Sequence, residues 1–295
     1  MSDGTVADLV RSELNGAVRV LTIDHPPVNV LSRPVLDALV QRLDEAEADP
    51  ATRVVVLASA APKAFAAGAD IKEMTPMGPA EAQLHGHRGQ STTRRLERLP
   101  LPVIAAVHGV CLGGGCEIAL ACDLIVASED AQFGQPEINL GVMPGWGGTR
   151  RLPRRIGAAG ARRWILTGRP VPAAQAHAEG LVDRVVPRAE LLGTAMAIAE
   201  ELATKPPLAL AAAKYALLHA MDPGIDEGLA YELELWAHLF GTRGQREGMA
   251  AFQEKRPPPP VSRDGWADDS KPFPWSRATG ATEPKRNKDE RPGGG

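Results

Sequence analysis

Cysteine is scarce in this chain: only Cys111, Cys116 and Cys122 occur among 295 residues. The odd number and the lack of CxxC spacing argue against a disulfide framework. Free cysteines are commonly small buried residues of proteins kept in a reducing compartment. We therefore expect three buried thiols and a cytoplasmic location.

Other absences exclude whole classes of function. No apolar run approaches the roughly 20 residues of a membrane-spanning helix, and the first 17 residues lack the apolar centre of a signal peptide. A net charge of −3 leaves no basic excess for nucleic acid. The sequence has no GxSxG elbow, no glycine run followed by Lys-Ser/Thr, and no His/Asp/Glu cluster at metal-ligand spacing. We expect no membrane, nucleic-acid or metal partner.

The chain does contain short aliphatic runs at 18–23, 53–58, 102–107 and 122–127. Continuous apolar runs of this length are typical of parallel strands covered on both faces. Between the first two runs, apolar residues recur at helical spacing from Leu36 to Ala46. The alternation of strand and helix predicts an α/β protein built from repeated units.

Composition also divides the chain. We predict an N-terminal arm at 1–17, a core at 18–200 and a helical region at 201–256. That last region carries an apolar stripe of Leu229, Leu233, Trp236 and Phe240, and it packs on the core or on another subunit. Residues 257–295 are rich in proline, charge and glycine, and such a composition is typical of disorder.

One stretch is informative about chemistry: three glycines, 113–115, are followed by Glu117 inside an apolar run. Glycine lets a ligand approach the main chain closely. A lone buried glutamate is costly unless it is paired, hydrogen-bonded or protonated. Backbone donors beside such a carboxylate are typical of an anion-stabilising active site.

Four motifs occur in order: residues 66–72 (AAGADIK), 108–117 (HGVCLGGGCE), 133–137 (FGQPE) and 144–149 (PGWGGT). Together they resemble the signatures of the enoyl-CoA hydratase/isomerase (crotonase) superfamily. The likeness runs from about residue 18 to 256. It implies a spiral of ββα units with a C-terminal helical region used for trimerisation, in a trimer or a hexamer.

The resemblance also implies a site for an acyl-CoA substrate, with CoA as part of the substrate and no separate cofactor. The N–H groups of Ala69 and Gly114 would form an oxyanion hole for an enolate. Glu117 would activate water and Glu137 would protonate Cα, although the opposite assignment stays open. Seven further residues would contact substrate or CoA: Ala67, Asp70, Ile71, Lys72, Gly113, Pro136 and Gly145.

Several residues also have purely structural interpretations. Glu117 is alternatively a core carboxylate neutralised by a lysine, and Glu137 a cap. Asp70 is expected to shape its loop, and His108 to be a packed histidine. Trp146 is bulkier than the residue at this position in many hydratases, and we expect it to affect the acyl pocket.

The leading hypothesis is hydration of a 2-enoyl-CoA to a 3-hydroxyacyl-CoA, because both glutamates are present. A double-bond isomerase or carbon–carbon hydrolase or decarboxylase on the same scaffold is the close alternative. A non-catalytic CoA-binding scaffold protein is disfavoured, since neither glutamate is lost and the glycine run carries no bulky residue.

Overall fold

A computed structural model describes residues 9–219, 224–261 and 263. The strands in these ranges are β1 Val10–Asn15, β2 Val18–Ile23, β3 Val30–Leu31, β4 Val54–Ser59, β5 Ala64–Ala66, β6 Gly68–Ala69, β7 Val103–Val107, β8 Val110–Leu112, β9 Leu124–Ser128, β10 Gln132–Gly134, β11 Val171–Pro172 and β12 Arg184–Val186. The α-helices are α1 Arg33–Ala48, α2 Ile71–Met74, α3 Pro79–Arg98, α4 Gly114–Leu120, α5 Gly148–Thr167, α6 Ala173–Ala178, α7 Leu191–Ala203, α8 Pro207–His219, α9 Ile225–Leu239 and α10 Arg243–Gln253.

The long strands form one six-stranded sheet in the order β1-β2-β4-β7-β9-β12. Only β1 and β2 pair antiparallel, and the other neighbours are parallel. The central strand β7 is buried at all five positions. This explains its unbroken apolar sequence, because both faces of a parallel sheet are covered.

A second sheet of short strands, in the order β11-β10-β8-β5, lies beside the first. Successive pairs, β4 with β5, β7 with β8 and β9 with β10, each contribute one strand to the large sheet and one to the small sheet. A helix follows each pair. These repeated ββα units are the predicted spiral, and each turn ends on the face where the glycine motifs lie.

Helices cover both faces of the large sheet. One face packs against α1, α3, α4 and α5 in the main core. On the other face, α7 packs the buried Leu191, Ala195 and Ala199 onto alternate residues of β2, β4 and β7. Fully burying a leucine side chain contributes about 1.5–3 kcal/mol, and each alanine methyl group contributes about 0.8 kcal/mol. Because α7 belongs to this core and ends at Ala203, the predicted core boundary at 200 is a few residues early.

The C-terminal helix α8 docks on the core through two polar side chains. Lys214 Nζ donates to the carbonyl oxygen of Leu101 at 2.9 Å and pairs with Asp123 Oδ2 at 2.8 Å. Tyr215 is buried, and its hydroxyl donates to the carbonyl oxygen of Arg98 at 2.6 Å. The C-terminal region therefore packs on its own core through α8.

The next helix, α9, packs on α8 but leaves its apolar stripe uncovered. Leu229, Leu233, Trp236 and Phe240 are 46–62% exposed. In a single chain this stripe contacts water, unlike the stripe of α7. The helical periodicity was a correct indication of a helix, but the stripe is not buried within the chain.

The predicted arm at 1–17 is wrong for residues 10–15, which form the edge strand β1. An edge strand buries few side chains, here only Val10 fully, so its sequence lacks a clear apolar pattern. At the other end, Arg263 donates to the carbonyl oxygens of Glu47 at 2.6 Å and Thr52 at 2.7 Å. Residues 264–295 of the predicted disordered segment lie outside the described residues.

Among the described helices, none combines the length and the hydropathy that a membrane span requires.

Candidate active site

The glycine run lies where β8 ends and α4 begins. Gly113 has φ +52° and ψ −126°, a conformation that glycine adopts readily and other residues rarely do. Its N–H donates to the carbonyl oxygen of Gly134 at 2.9 Å. A Cβ atom at Gly115 would lie 2.2 Å from the carbonyl oxygen of Ala66. Gly114 is the first residue of α4, so its N–H has no intrahelical acceptor.

A second loop segment lies directly against this run. Strand β6 pairs with β3, which fixes Gly68 and Ala69 in the site. A Cβ atom at Gly68 would lie 3.1 Å from the carbonyl oxygen of Leu112 and 3.7 Å from the nitrogen of Gly114. The main chain of residues 68–69 and 113–114 is therefore close-packed, and a side chain at 68 would separate the two segments.

Glu117 lies in the first turn of α4 and is only 2% exposed. Its Oε1 accepts hydrogen bonds from the backbone N–H of Trp146 at 2.8 Å and of Gly148 at 2.7 Å. Burial raises its pKa, and the backbone hydrogen bonds oppose that rise. Main-chain donors, and not a lysine, therefore satisfy this carboxylate.

Glu137 lies in the first turn of the 3-10 helix Pro136–Leu140. A Cβ atom at Gly113 would lie 3.1 Å from its Oε1, so the carboxylate borders the glycine run. Its Oε2 is buried and has no hydrogen-bond partner among the described residues. Burial, with a smaller effect from the charge of Glu117, raises the pKa of Glu137 to about 7. The two carboxyl groups thus differ in their environments.

The loop that holds Glu117 is itself fixed to helix α3. Arg151 donates to both carboxylate oxygens of Glu97, each at 2.6 Å, and to the carbonyl oxygen of Trp146 at 2.7 Å. Thr93 Oγ1 donates to the same carbonyl oxygen at 3.0 Å. These contacts hold the Trp146–Gly147 peptide, which lies between the two peptides whose N–H groups reach Glu117.

The other predicted contact residues lie around this centre. Asp70 caps α2 by accepting from the N–H of Lys72 at 2.8 Å, which is the loop-shaping role expected of it. Ile71 and Lys72 are exposed on that short helix, and Ala67 is partly buried behind it. Pro136 starts the 3-10 helix of Glu137, and Gly145 is exposed. No observation assigns a ligand to these residues, so their binding roles stay predictions.

Histidines and cysteines take structural positions. His108 is 8% exposed, and its Nε2 lies 2.8 Å from the carbonyl oxygen of Ala61, as expected for a packed histidine. The three cysteines are free and buried. Within the described ranges, no group of three or more His, Cys, Asp and Glu side chains has metal-binding geometry.

Sequence reasoning missed the donors to Glu117. Backbone N–H groups carry no side-chain signature, so only the glycines around Trp146 hinted at them. Gln135 is fully buried and lies against Gly148. A Cβ atom at Gly148 would lie 2.9 Å from Oε1 of Gln135. Both polar atoms of this amide lack a partner among the described residues.

Comparison with known proteins identifies relatives over most of the chain. Residues 13–262 match the family model described as enoyl-CoA hydratase/isomerase. The chain is 43% identical over 245 residues to the short-chain-enoyl-CoA hydratase of Clostridium acetobutylicum, covering 83% of this chain and 94% of that protein. It is 40% identical over 238 residues to the crotonyl-CoA hydratase of Syntrophomonas wolfei, covering 80% and 92%.

Solved structures of enoyl-CoA hydratases are similar in fold to this chain. An enoyl-CoA hydratase subunit I of Geobacillus kaustophilus superposes with a TM-score of 0.81 at 42% identity, covering 85% of this chain and 97% of that chain. The enoyl-CoA hydratase of Bacillus anthracis gives a TM-score of 0.81 at 38% identity, covering 85% and 98%. The repeated ββα architecture is therefore shared with these structures.

Proposed function

The chain belongs to the enoyl-CoA hydratase/isomerase family, and from that premise we propose that it hydrates trans-2-enoyl-CoA thioesters to 3-hydroxyacyl-CoA. The observation that carries the proposal is the pair of carboxyl groups of Glu117 and Glu137 beside one stretch of bare glycine backbone. One carboxylate is held by main-chain donors and the other keeps a raised pKa of about 7. Relatives named as hydratases of short-chain enoyl-CoA and crotonyl-CoA support the same reaction.

In this mechanism the thioester oxygen binds between the N–H groups of Ala69 and Gly114. Adding water at Cβ moves negative charge onto that oxygen as an enolate, and two preorganised donors stabilise it. The removal of one such donor typically costs about 2.7–4 kcal/mol of transition-state stabilisation. The close packing of Gly68 on the residue 113–114 main chain supports this role, because only bare backbone fits there.

Glu117 accepts a proton from the attacking water, whose oxygen bonds to Cβ. Glu137 then donates its proton to Cα as the enolate collapses. The proton on Glu117 is released to solvent and Glu137 takes one up from solvent before the next turnover, so that one water is added overall. A carboxyl group with a pKa of about 7 holds its proton for a substantial part of the time at neutral pH, as a general acid requires. Burial also raises the pKa of Glu117, and the two hydrogen bonds to its Oε1 oppose that rise by stabilising the ionised form that a base needs.

No separate cofactor is needed in this scheme, because backbone donors take the enolate charge and carboxyl groups carry the protons. CoA enters as part of the substrate. The exposed residues Ile71 and Lys72 on α2, together with the exposed Gly145, are proposed to contact it. The free, buried cysteines support a reducing compartment, and we assign the enzyme to the cytoplasm.

The direct test compares Glu117→Gln and Glu137→Gln with the unsubstituted enzyme on crotonyl-CoA. Loss of the conjugated thioester absorbance reports hydration. Each variant is expected to lose at least about 100-fold in kcat, the usual size of a general acid or base contribution. If both keep full hydratase activity, the two-carboxylate mechanism is wrong. If the unsubstituted enzyme instead converts 3-enoyl-CoA to 2-enoyl-CoA without hydration, it is an isomerase.

We also propose that α9 mediates self-association into a trimer or hexamer. Its uncovered stripe at Leu229, Leu233, Trp236 and Phe240 supports this, since contiguous exposed apolar surface marks interaction sites. Leu233→Glu should dissociate the oligomer in sedimentation velocity. The matched control is Leu166→Glu on α5, where the leucine is 68% exposed, against 62% for Leu233. Equal sedimentation of both variants and the unsubstituted protein would refute the assignment.

A further inference from the structure

The side chain of Trp146 fills the space beside the proposed oxyanion hole. Its indole is 4% exposed and lies between two glycines that face it from different helices. A Cβ atom at Gly114 would lie 2.4 Å from Cζ3, and one at Gly89 would lie 2.2 Å from Cδ2 and Cε2. The ring is therefore in van der Waals contact with the first residue of α4 and with the middle of α3.

The main chain of Trp146 cannot shift to move this ring away. Its N–H is held by Glu117, and its carbonyl oxygen accepts from Thr93 and Arg151. An indole has only two side-chain torsions, and close packing on both faces restricts both. The position of the ring is thus fixed by the same contacts that orient the catalytic carboxylate.

Behind the indole, on the α3 side, lies His85. The two ring centroids are 5.7 Å apart. His85 also lines a groove of about 1030 Å³ between α1 and α3, together with residues such as Val40, Met77 and Leu84. Burial lowers the pKa of His85, so the ring is neutral at neutral pH. The neutral imidazole of His85 and the indole of Trp146 therefore lie between the proposed reaction centre and this groove.

We propose that the indole of Trp146, held in place by Gly89, forms an acyl wall that restricts the enzyme to short 2-enoyl-CoA thioesters such as crotonyl-CoA. This inference rests on the proposed function and names its substrate class. With the thioester oxygen at the N–H of Gly114, the acyl chain starts within contact distance of the ring. A longer chain must displace a closely packed, torsionally restricted side chain to reach the groove.

Gly89 is essential to the wall because the ring has no room for a methyl group there. A Cβ atom at 2.2 Å from two ring atoms forces the indole to move, and the close contact of its six-membered ring with Gly114 limits where it can go. The ring would then enter the acyl pocket. Gly89→Ala should consequently impair even the shortest substrate, and removal of the indole should relieve this effect.

The first experiment measures kcat/KM on crotonyl-CoA and on trans-2-decenoyl-CoA for the unsubstituted enzyme, Trp146→Phe and Trp146→Ala. The ratio of decenoyl to crotonyl activity should rise at least about tenfold in Trp146→Ala and less in Trp146→Phe, given typical discrimination per methylene group. Trp164→Phe, at an indole buried elsewhere in the core, should leave the ratio unchanged. An unchanged ratio in both Trp146 variants overturns the proposal.

The second experiment tests the pairing of Trp146 with Gly89. Gly89→Ala should lower kcat/KM on crotonyl-CoA at least about tenfold, and the double variant Gly89→Ala/Trp146→Ala should be no worse than Trp146→Ala alone. Residues in contact show such non-additivity, whereas independent sites add. Simple additivity of the two substitutions would contradict a shared wall.

Binding of saturated thioesters separates this inference from the proposed function. Butyryl-CoA and decanoyl-CoA cannot be hydrated, and calorimetry gives their affinities without turnover. Trp146→Ala should gain at least about tenfold in affinity for decanoyl-CoA relative to butyryl-CoA. If that gain occurs while no enoyl-CoA is hydrated, the proposed function fails and the wall stands. If hydration occurs without the gain, the wall fails alone.

Discussion

Glu137→Gln should make the protein inactive and, at alkaline pH, more stable. Burial raises the pKa of this carboxyl from an ordinary 4.5 to about 7. Each tenfold change in the acid dissociation constant is worth about 1.36 kcal/mol. The raised pKa therefore lowers the free energy of unfolding by about 3 kcal/mol once the group is ionised. Partial contact with solvent reduces the figure to about 2 kcal/mol. Glutamine is nearly the same size but has no charge to bury.

The sign follows from proton binding. Below pH 4.5 the carboxyl is protonated in folded and unfolded chains alike, so it costs nothing. Between pH 4.5 and about 7 the unfolded chain releases the proton first, and stability falls as the pH rises. Above about 7 the loss is complete. The gain in Glu137→Gln should therefore be about 2 kcal/mol at pH 8 and below about 1 kcal/mol at pH 5.

Urea unfolding followed by tryptophan fluorescence, at fixed protein concentration, measures these free energies of unfolding. Glu129→Gln is the matched control, since Glu129 is exposed. An equal gain for Glu137→Gln at pH 5 and pH 8 would refute the role of a buried charge. No gain at pH 8 would mean that the carboxyl is well solvated and has an ordinary pKa, and that its proposed role as general acid loses its basis.

Three further predictions concern the same site. Hydration by the unsubstituted enzyme should slow as pH rises through about 7, because Glu137 loses the proton that it donates. If the rate rises in this pH range instead, Glu137 acts as the base. Gly114→Ala places a methyl group 2.4 Å from the indole of Trp146 and should lower kcat at least about tenfold, whereas an unaffected kcat would exclude tight packing at the oxyanion hole. Arg151→Met removes two hydrogen bonds to Glu97 and should cost about 2 kcal/mol in urea unfolding together with part of kcat. A loss of stability alone would show that the loop does not need this clamp.

Much of the fold was predictable because parallel strands buried on both faces have continuous apolar sequences. The runs at 18–23, 102–107 and 122–127 coincide closely with β2, β7 and β9. Strand β1 was missed, since it is antiparallel, lies at the edge of the sheet and fully buries only Val10. An apolar pattern in the sequence marks side chains that are buried in the chain's own core, and an edge strand has few such side chains.

The parts of the candidate site that side chains form were predictable, and the parts that the main chain forms were not. Glu117 and Glu137 stood out as acids among uncharged neighbours, and the structure brings both to the glycine run. The donors at Trp146 and Gly148 have no signature of their own. Likewise, periodicity identified α9 as a helix but could not tell whether its stripe faces its own chain or another surface.

The residue at position 146 serves the site with two separable sets of atoms. Its N–H and carbonyl oxygen fix Glu117 and the loop, and these groups are present in every amino acid except proline, which lacks the N–H. Its side chain shapes the space next to Gly114, Gly89 and His85. The proposed acyl wall therefore predicts that a codon library at this single position diversifies substrate range while the hydrogen bonds to Glu117 and from Arg151 are kept.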